Sequence, residues 1–242
     1  MRRLFRLAAY VAAIVVGGFI GCGLAGERVI GSGNSATETR ELGEVTEVDL
    51  SGIGELVLTS DEKPGLTITA DDNILPHLES VTEGKTLILR TKSGSYTPKT
   101  PITYRLSAKA LAKVKVSGAA TVSSKGFSGT TLEVDLSGAS VATLRGLDLK
   151  SLTLTLSGAG NATIAGTAQA LVVKVSGAGH IKASDLEAKS AEATVSGAGN
   201  VEVWATGSLK GHVSGAGNVK YKGHPKVEQN VSGAGSISPL TR

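Results

Sequence analysis

From Lys113 onwards, aliphatic and polar residues alternate in short bursts that return at a near-constant interval. The apolar sets are Ala112/Val114/Val116, Leu132/Val134/Leu136, Leu152/Leu154/Leu156, Leu171/Val173/Val175 and Ala191/Ala193/Val195. Leu209/Gly211/Val213 and Val227/Gln229/Val231 keep the spacing with one exception each. Strict alternation predicts strands with one face turned to a shared interior. Each set runs into Ser-Gly-Ala-Gly or a near copy, starting at Ser117, Ser137, Ser157, Ser176, Ser196, Ser214 and Ser232, at spacings of 20, 20, 19, 20, 18 and 18 residues. A fixed period of this size marks a solenoid in which each repeat is one rung and buries its apolar face only against its neighbours. The predicted fold is all-β: a single-stranded β-helix, or β-solenoid, with rungs of about 20 residues turning at the Ser-Gly-Ala-Gly motifs.

The motif suits a corner. Both glycines are expected to supply positive φ or a tight bend, and the serine hydroxyl to bond nearby backbone. The next position is Asn161, His180, Asn200, Asn218 or Ser236, a column that predicts a partial side-chain ladder between rungs. A second short strand follows each corner, as in Ala162-Thr163-Ile164 and Val201-Glu202-Val203, and a third short side is expected. Outward positions place Lys113 and Lys115 above Glu133 and Asp135. Opposite charges on facing strands contribute roughly 0.2–1 kcal/mol per pair and help to set register.

Before the regular repeats, Val48 to Leu58 resembles a degenerate first rung, and Leu66–Ala70 and Thr86–Arg90 alternate as strands. Asp71 to Leu78 reads as a loop or a single helical turn, and Tyr96 to Pro101, with two prolines, as an exposed loop. This region is expected to continue the solenoid, cap it and block its first edge.

The chain opens with Arg2, Arg3 and Arg6 followed by an uncharged run from Leu7 to Gly26, the layout of an export signal. Ile20-Gly21-Cys22 resembles the end of a bacterial lipobox, although Phe19 stands where leucine is commoner, and would make Cys22 a lipidation site. Gly23-Leu24-Ala25 would also serve an ordinary signal peptidase, and the run is long enough to span a bilayer uncleaved. The organisation read from the chain is a signal peptide over 1–21, a tether over 22–44 and one β-solenoid domain over 45–238. Gly31-Ser32-Gly33-Asn34 and its Ser/Thr-rich flanks are the basis for the tether.

Cys22 is the single cysteine, so no disulfide, Cys-ligated zinc or thiol nucleophile is expected in the domain. The formal charge of +4 also changes meaning once the signal is set aside: without Arg2, Arg3 and Arg6, 22 basic residues face 21 acidic ones. That balance, with 3% aromatic residues, gives neither a basic face nor stacking platforms for nucleic acid.

Solenoids also serve as polysaccharide lyases and hydrolases, which need clustered carboxylates on adjacent rungs. Here Glu133 and Asp135 are followed by Thr153 and Thr155 and preceded by Lys113 and Lys115, so surface ion pairing is expected instead. His77, His180, His212 and His224 lack metal-ligand spacing, and His180 stands in an asparagine slot. No serine sits in a Gly-x-Ser-x-Gly elbow, and the glycine turns lead into strands rather than the helices that bind phosphate. Successive rungs lack matched threonines for an ice-binding array, and Trp204, Tyr104 and Tyr221 are isolated. The expectation is a non-enzyme with no catalytic residues, cofactor or metal.

The export signal with its lipobox-like end, the Gly-Ser-Gly-Asn segment, the repeated Val-Ser-Gly-Ala-Gly-Asn turns, the opening strand Val48 to Leu58, Asn73-Ile74-Leu75-Pro76 and the glycine-lysine turn before Thr86 together resemble the head GIN domain family of auto-transporter adhesin type. Ala120 and Ser140 depart from it in place of the second glycine, and His180 in place of asparagine. The resemblance covers nearly all of 31–238. It implies a bacterial cell-envelope protein with a β-helical domain and supplies no catalytic residues. The expected role is an exported, membrane-anchored binding or structural module that meets an envelope protein or glycan. A glycan-active enzyme and an envelope-stress accessory protein are the alternatives.

Overall fold

The computed structural model describes residues 28–60, 64–108 and 110–241. Its strands are β1 (Arg28–Ile30), β2 (Ser35–Arg40), β3 (Glu47–Thr59), β4 (Gly65–Asp71), β5 (Leu78–Glu83), β6 (Thr86–Thr91), β7 (Ser95–Thr97), β8 (Thr103–Ser107), β9 (Lys113–Gly138), β10 (Val141–Gly158), β11 (Asn161–Gly177), β12 (His180–Gly197), β13 (Asn200–Gly215), β14 (Asn218–Lys222), β15 (Lys226–Gly233) and β16 (Ser236–Pro239). Among the described residues the helical content is one 3₁₀ turn, Leu75–His77, inside the segment read as a loop or single turn.

The predicted solenoid is present, with about six turns of roughly 20-residue rungs. β9 to β13 run parallel and in order, and outside a few register slips each residue stacks on its equivalent one rung away: Leu152 lies against Leu132 on one side and Leu171 on the other. The alternating aliphatic columns point inward and form one continuous core. Phe127, Leu147, Leu149, Ala168, Leu186 and Ala188 line the third side. Ala112 departs from its column: it is exposed, and Leu111 is buried in its place. The amides of Ala112 and Lys113 both donate to Thr46 O, so the alternation restarts at Lys113.

The two glycines of the corner do different work. The first, represented by Gly197, has φ of +132° and lies over Gly177. The second, represented by Gly199, stays out of the left-handed region and is buried, and a β-carbon there would lie 2.6 Å from Val175 Cγ1. It is small for lack of room, not for φ. Ser140, in the equivalent place, is fully buried and turns its hydroxyl back to donate to Ser137 O at 2.7 Å.

β3 is the degenerate first rung, parallel to β9 from Glu47↔Lys113 to Leu58↔Ser124. Beyond it β8 still adds parallel to one half of β3, β4 and then β2 follow antiparallel, and the β5–β6 hairpin joins the other half of β3 through β6. This mixed cap covers the first edge, as expected.

The tether expectation does not hold for residues 28–40. β1 pairs with β7, and β2 pairs along its length with β4. Gly31 is buried, and a β-carbon on it would strike the Asp71 carboxylate. The glycine therefore marks a close approach, which composition alone reads as flexibility. The same pairing puts Tyr96 and Thr97, the start of the segment read as an exposed loop, into the strand Ser95–Thr97.

Candidate binding surface

The outward columns differ sharply between the two halves of the stack. Towards the N-terminus the charges consume one another. Lys113 Nζ lies 2.9 Å from Glu133 Oε1 and 3.1 Å from Asp135 Oδ2. Its hydrogen bonds to Glu133 and then Asp135 push its pKa up to about 12. Lys115, expected over Asp135, instead turns to the rung on its other side and pairs with Asp49 at 2.8 Å. Glu133 and Asp135 are thus held by a lysine, and their neighbours in register on the next rung are Thr153 and Thr155. Those threonines in turn face Val172 and Lys174, so they form no array.

Towards the C-terminus a polar ladder runs down the strand after the corner. Ser236 Oγ donates to Asn218 Oδ1 at 2.7 Å, Asn218 Nδ2 donates to Asn200 Oδ1 at 3.0 Å, and Asn200 Nδ2 lies 3.4 Å from His180 Nδ1. Parallel in-register strands bring identical positions to about 4.8 Å, within reach of one another's amides. The ladder spans four rungs and continues the column read from the sequence.

Two positions further along the same strands, on the same face, stand Lys182, Glu202 and Lys220. Together with His180, Asn200 and Asn218 they line an open groove of about 300 Å³. Glu202 accepts from Ser184 at 3.0 Å, and Lys182 approaches Asp185 at 3.6 Å. Lys220 makes no ion pair among the described residues. The register slips between Ala183 and Glu187, where β12 carries extra residues, and this irregularity borders the groove. A neighbouring face bears a shallower groove of about 560 Å³ that includes Glu192, Thr194, Lys210, His212 and Asn230. Both present hydrogen-bond donors, acceptors and charges of both signs on rigid strands.

The remaining singled-out residues are dispersed. His77 packs against the Tyr96 ring at 5.4 Å between centroids, and His224 is exposed between β14 and β15. No group of three or more His, Cys, Asp or Glu able to hold a metal occurs among the described residues. Tyr104 belongs to the core of the cap, where burial pushes its hydroxyl pKa up to about 12. Trp204 stacks under Lys222 Nζ at 3.6 Å from the ring centroid. Cys22 and the export segment lie outside the described residues, among which no helix is long and apolar enough to cross a membrane.

The geometry defines a capped, single-chain parallel β-solenoid whose polar groups are displayed on flat outer faces rather than gathered in a cleft. The chain belongs to the family described as "Putative auto-transporter adhesin, head GIN domain", which matches residues 44–225. Among solved structures, it is similar to a putative adhesin from Bacteroides fragilis at 25% identity and a TM-score of 0.83, covering 88% of this chain and 100% of that one. It is also similar to a putative lipid binding protein from Parabacteroides distasonis at 23% identity and a TM-score of 0.73, covering 89% and 100%. A putative adhesin from Parabacteroides merdae has 22% identity and a TM-score of 0.66, covering 89% and 100%. No curated protein matches the chain.

Proposed function

We propose that this protein is a non-enzymatic, adhesin-like binding module of the bacterial cell envelope, exported by its N-terminal segment and anchored through lipid on Cys22. Its binding face is the groove along His180, Lys182, Asn200, Glu202, Asn218 and Lys220. The observation that carries this reading is the ladder from Ser236 to His180, which fixes a row of amide and hydroxyl groups at rung spacing beside mixed charges. Such a row requires little ordering on binding, because its side chains already hold one another. Its alternating donors and acceptors match the hydroxyls of an envelope glycan better than an apolar ligand. The family name and the B. fragilis neighbour support the adhesin reading.

Two measurements on cells test it. Intact mass and detergent partitioning of the protein from bacterial membranes should show cleavage before Cys22 with added acyl mass. Cells displaying the chain should adhere to glycan-coated surfaces more than cells displaying a Lys182→Glu/Lys220→Glu chain. Equal adherence of the two would remove the groove from the account.

A further inference from the structure

The two ends of the solenoid are finished differently. At the N-terminal end the last strand in the order is β2, whose edge is short and polar and whose Glu38 and Arg40 pair with each other. Arg40 also donates to Leu78 O and Ser80 Oγ. Charged side chains on an edge discourage further pairing. At the C-terminal end, β15 pairs with β13 alone among the described residues, which leaves its other edge without a strand partner there. The inward column reaches this edge uncovered by any other described strand: Val213 is buried, but Val231 in the next rung is 41% exposed and Val227 is only half-buried. Gln229 occupies the central inward position, where the preceding rungs carry aliphatic residues or Gly211. β16 contains Pro239, which cannot donate to a further ladder, but β15 contains no proline.

We propose that a second copy of this chain pairs antiparallel with β15 about a two-fold axis at Gln229, closing the open end of both solenoids. The register follows from the side chains. With the axis at Gln229, Val227 faces Val231 of the second copy, and the reverse contact repeats across the axis. The two Gln229 amides then face each other, each able to donate to the other's carbonyl oxygen. On the outer face Glu228 meets Asn230 and Lys226 meets Ser232, so no like charges are opposed. An axis one residue earlier would set the two Glu228 carboxylates against each other, and one residue later would place Gln229 against Val231. The contact is isologous, as closed dimers require, and a polar residue at the centre of an apolar seam fixes the register. One strand pair is a small interface, so the dimer is expected to be concentration-dependent.

A disulfide trap tests this with the full chain in detergent, in a Cys22→Ser background that contains no other thiol. Residues directly opposite in an antiparallel pair have Cα atoms about 4.5–5.5 Å apart, within disulfide range. Gln229→Cys should therefore give a covalent dimer under mild oxidation. Ser232→Cys, about 20 Å from its own copy in this register, should stay monomeric. Adding Val231→Lys to the Gln229→Cys chain should cut cross-linking several-fold, with the far-UV circular dichroism unchanged. A Gln229→Cys chain that remains monomeric, including one whose edge is taken by a strand of another protein, would overturn the proposal. Equal cross-linking at residues 229 and 232 would overturn it as well.

Discussion

The carbonyl oxygen of Gly177 lies 2.5 Å from the place a β-carbon on Gly197 would occupy. Rung stacking thus sets the sequence at the corner directly, because Gly197 also has φ of +132°. Gly197→Ala combines backbone strain of about 1–3 kcal/mol with a clash against main chain that cannot move independently. Gly65→Ala, where nothing lies within 4 Å and φ is unrestricted, should be neutral or stabilise by about 0.4–1 kcal/mol. Urea midpoints of the two variants should therefore move in opposite directions, or the Gly65 variant not at all.

The ion-pair cluster at Lys113 gives an alkaline signature. Its pKa is raised in the folded state, so its contribution is fully present below the ordinary lysine value of 10.5 and fades as pH rises through about 12. The side chain is 34% exposed, so screening limits the effect to about 0.2–1 kcal/mol. Denaturation midpoints at pH 9 and pH 11.5 should differ less for Lys113→Met than for the unsubstituted chain. An identical difference would mean that the pairs contribute nothing to stability.

Asp71 gives the opposite sign. It is fully buried, and burial alone would raise its pKa, but the amides of Thr100, Lys99 and Gly33 outweigh that and hold it below the usual carboxylate value. Its contribution is present above pH 3.8 and is lost as pH falls through the lowered folded value. Asp71→Ala should speed amide hydrogen exchange at residues 30–34 and 97–100 while leaving the rungs from Val141 to Gly215 protected. Uniform loosening of the whole chain would show that the cap and solenoid unfold as one unit.

The difference between what the chain reveals as sequence and what it conceals follows range. Leu132, Leu152 and Leu171 stack because they recur at the rung period, and recurrence is visible without coordinates. The clasp on Gly31–Asn34 is not visible in this way. Ser32 N donates to Asn73 Oδ1 and Asn73 Nδ2 donates to Ile30 O across some forty residues, with no periodic signal to announce them. Lys115 shows an intermediate case: its column was legible, but its choice of Asp49 depends on β3 stacking directly on the first regular rung. For the proposed binding face, the Asn161/His180/Asn200/Asn218/Ser236 column was legible, and the structure places the hydrogen-bonded ladder on its last four members. The groove beside it was not, because the drop in spacing from 20 to 18 residues records that a rung shortens but not that the register slip falls near Ala183, beside the groove.

Breaking the ladder should loosen one end only. Asn218→Ala removes the acceptor for Ser236 and the donor to Asn200, and a neutral hydrogen bond contributes about 0.5–1.5 kcal/mol net. Exchange protection should fall in β14 and β16 and stay unchanged in β9 and β10. Faster exchange in β9 would contradict a ladder that acts locally.

The proposed binding role rests on the groove beside this ladder, and a direct titration decides it. Fluorescence-detected binding of purified envelope polysaccharide should be measured for the unsubstituted chain, for Lys182→Glu/Lys220→Glu in the groove, and for Lys174→Glu on a different face. Saturable binding that falls at least tenfold in the groove variant and is unchanged in the Lys174 variant is the expected result. No saturable binding, or an equal loss in both variants, would contradict it.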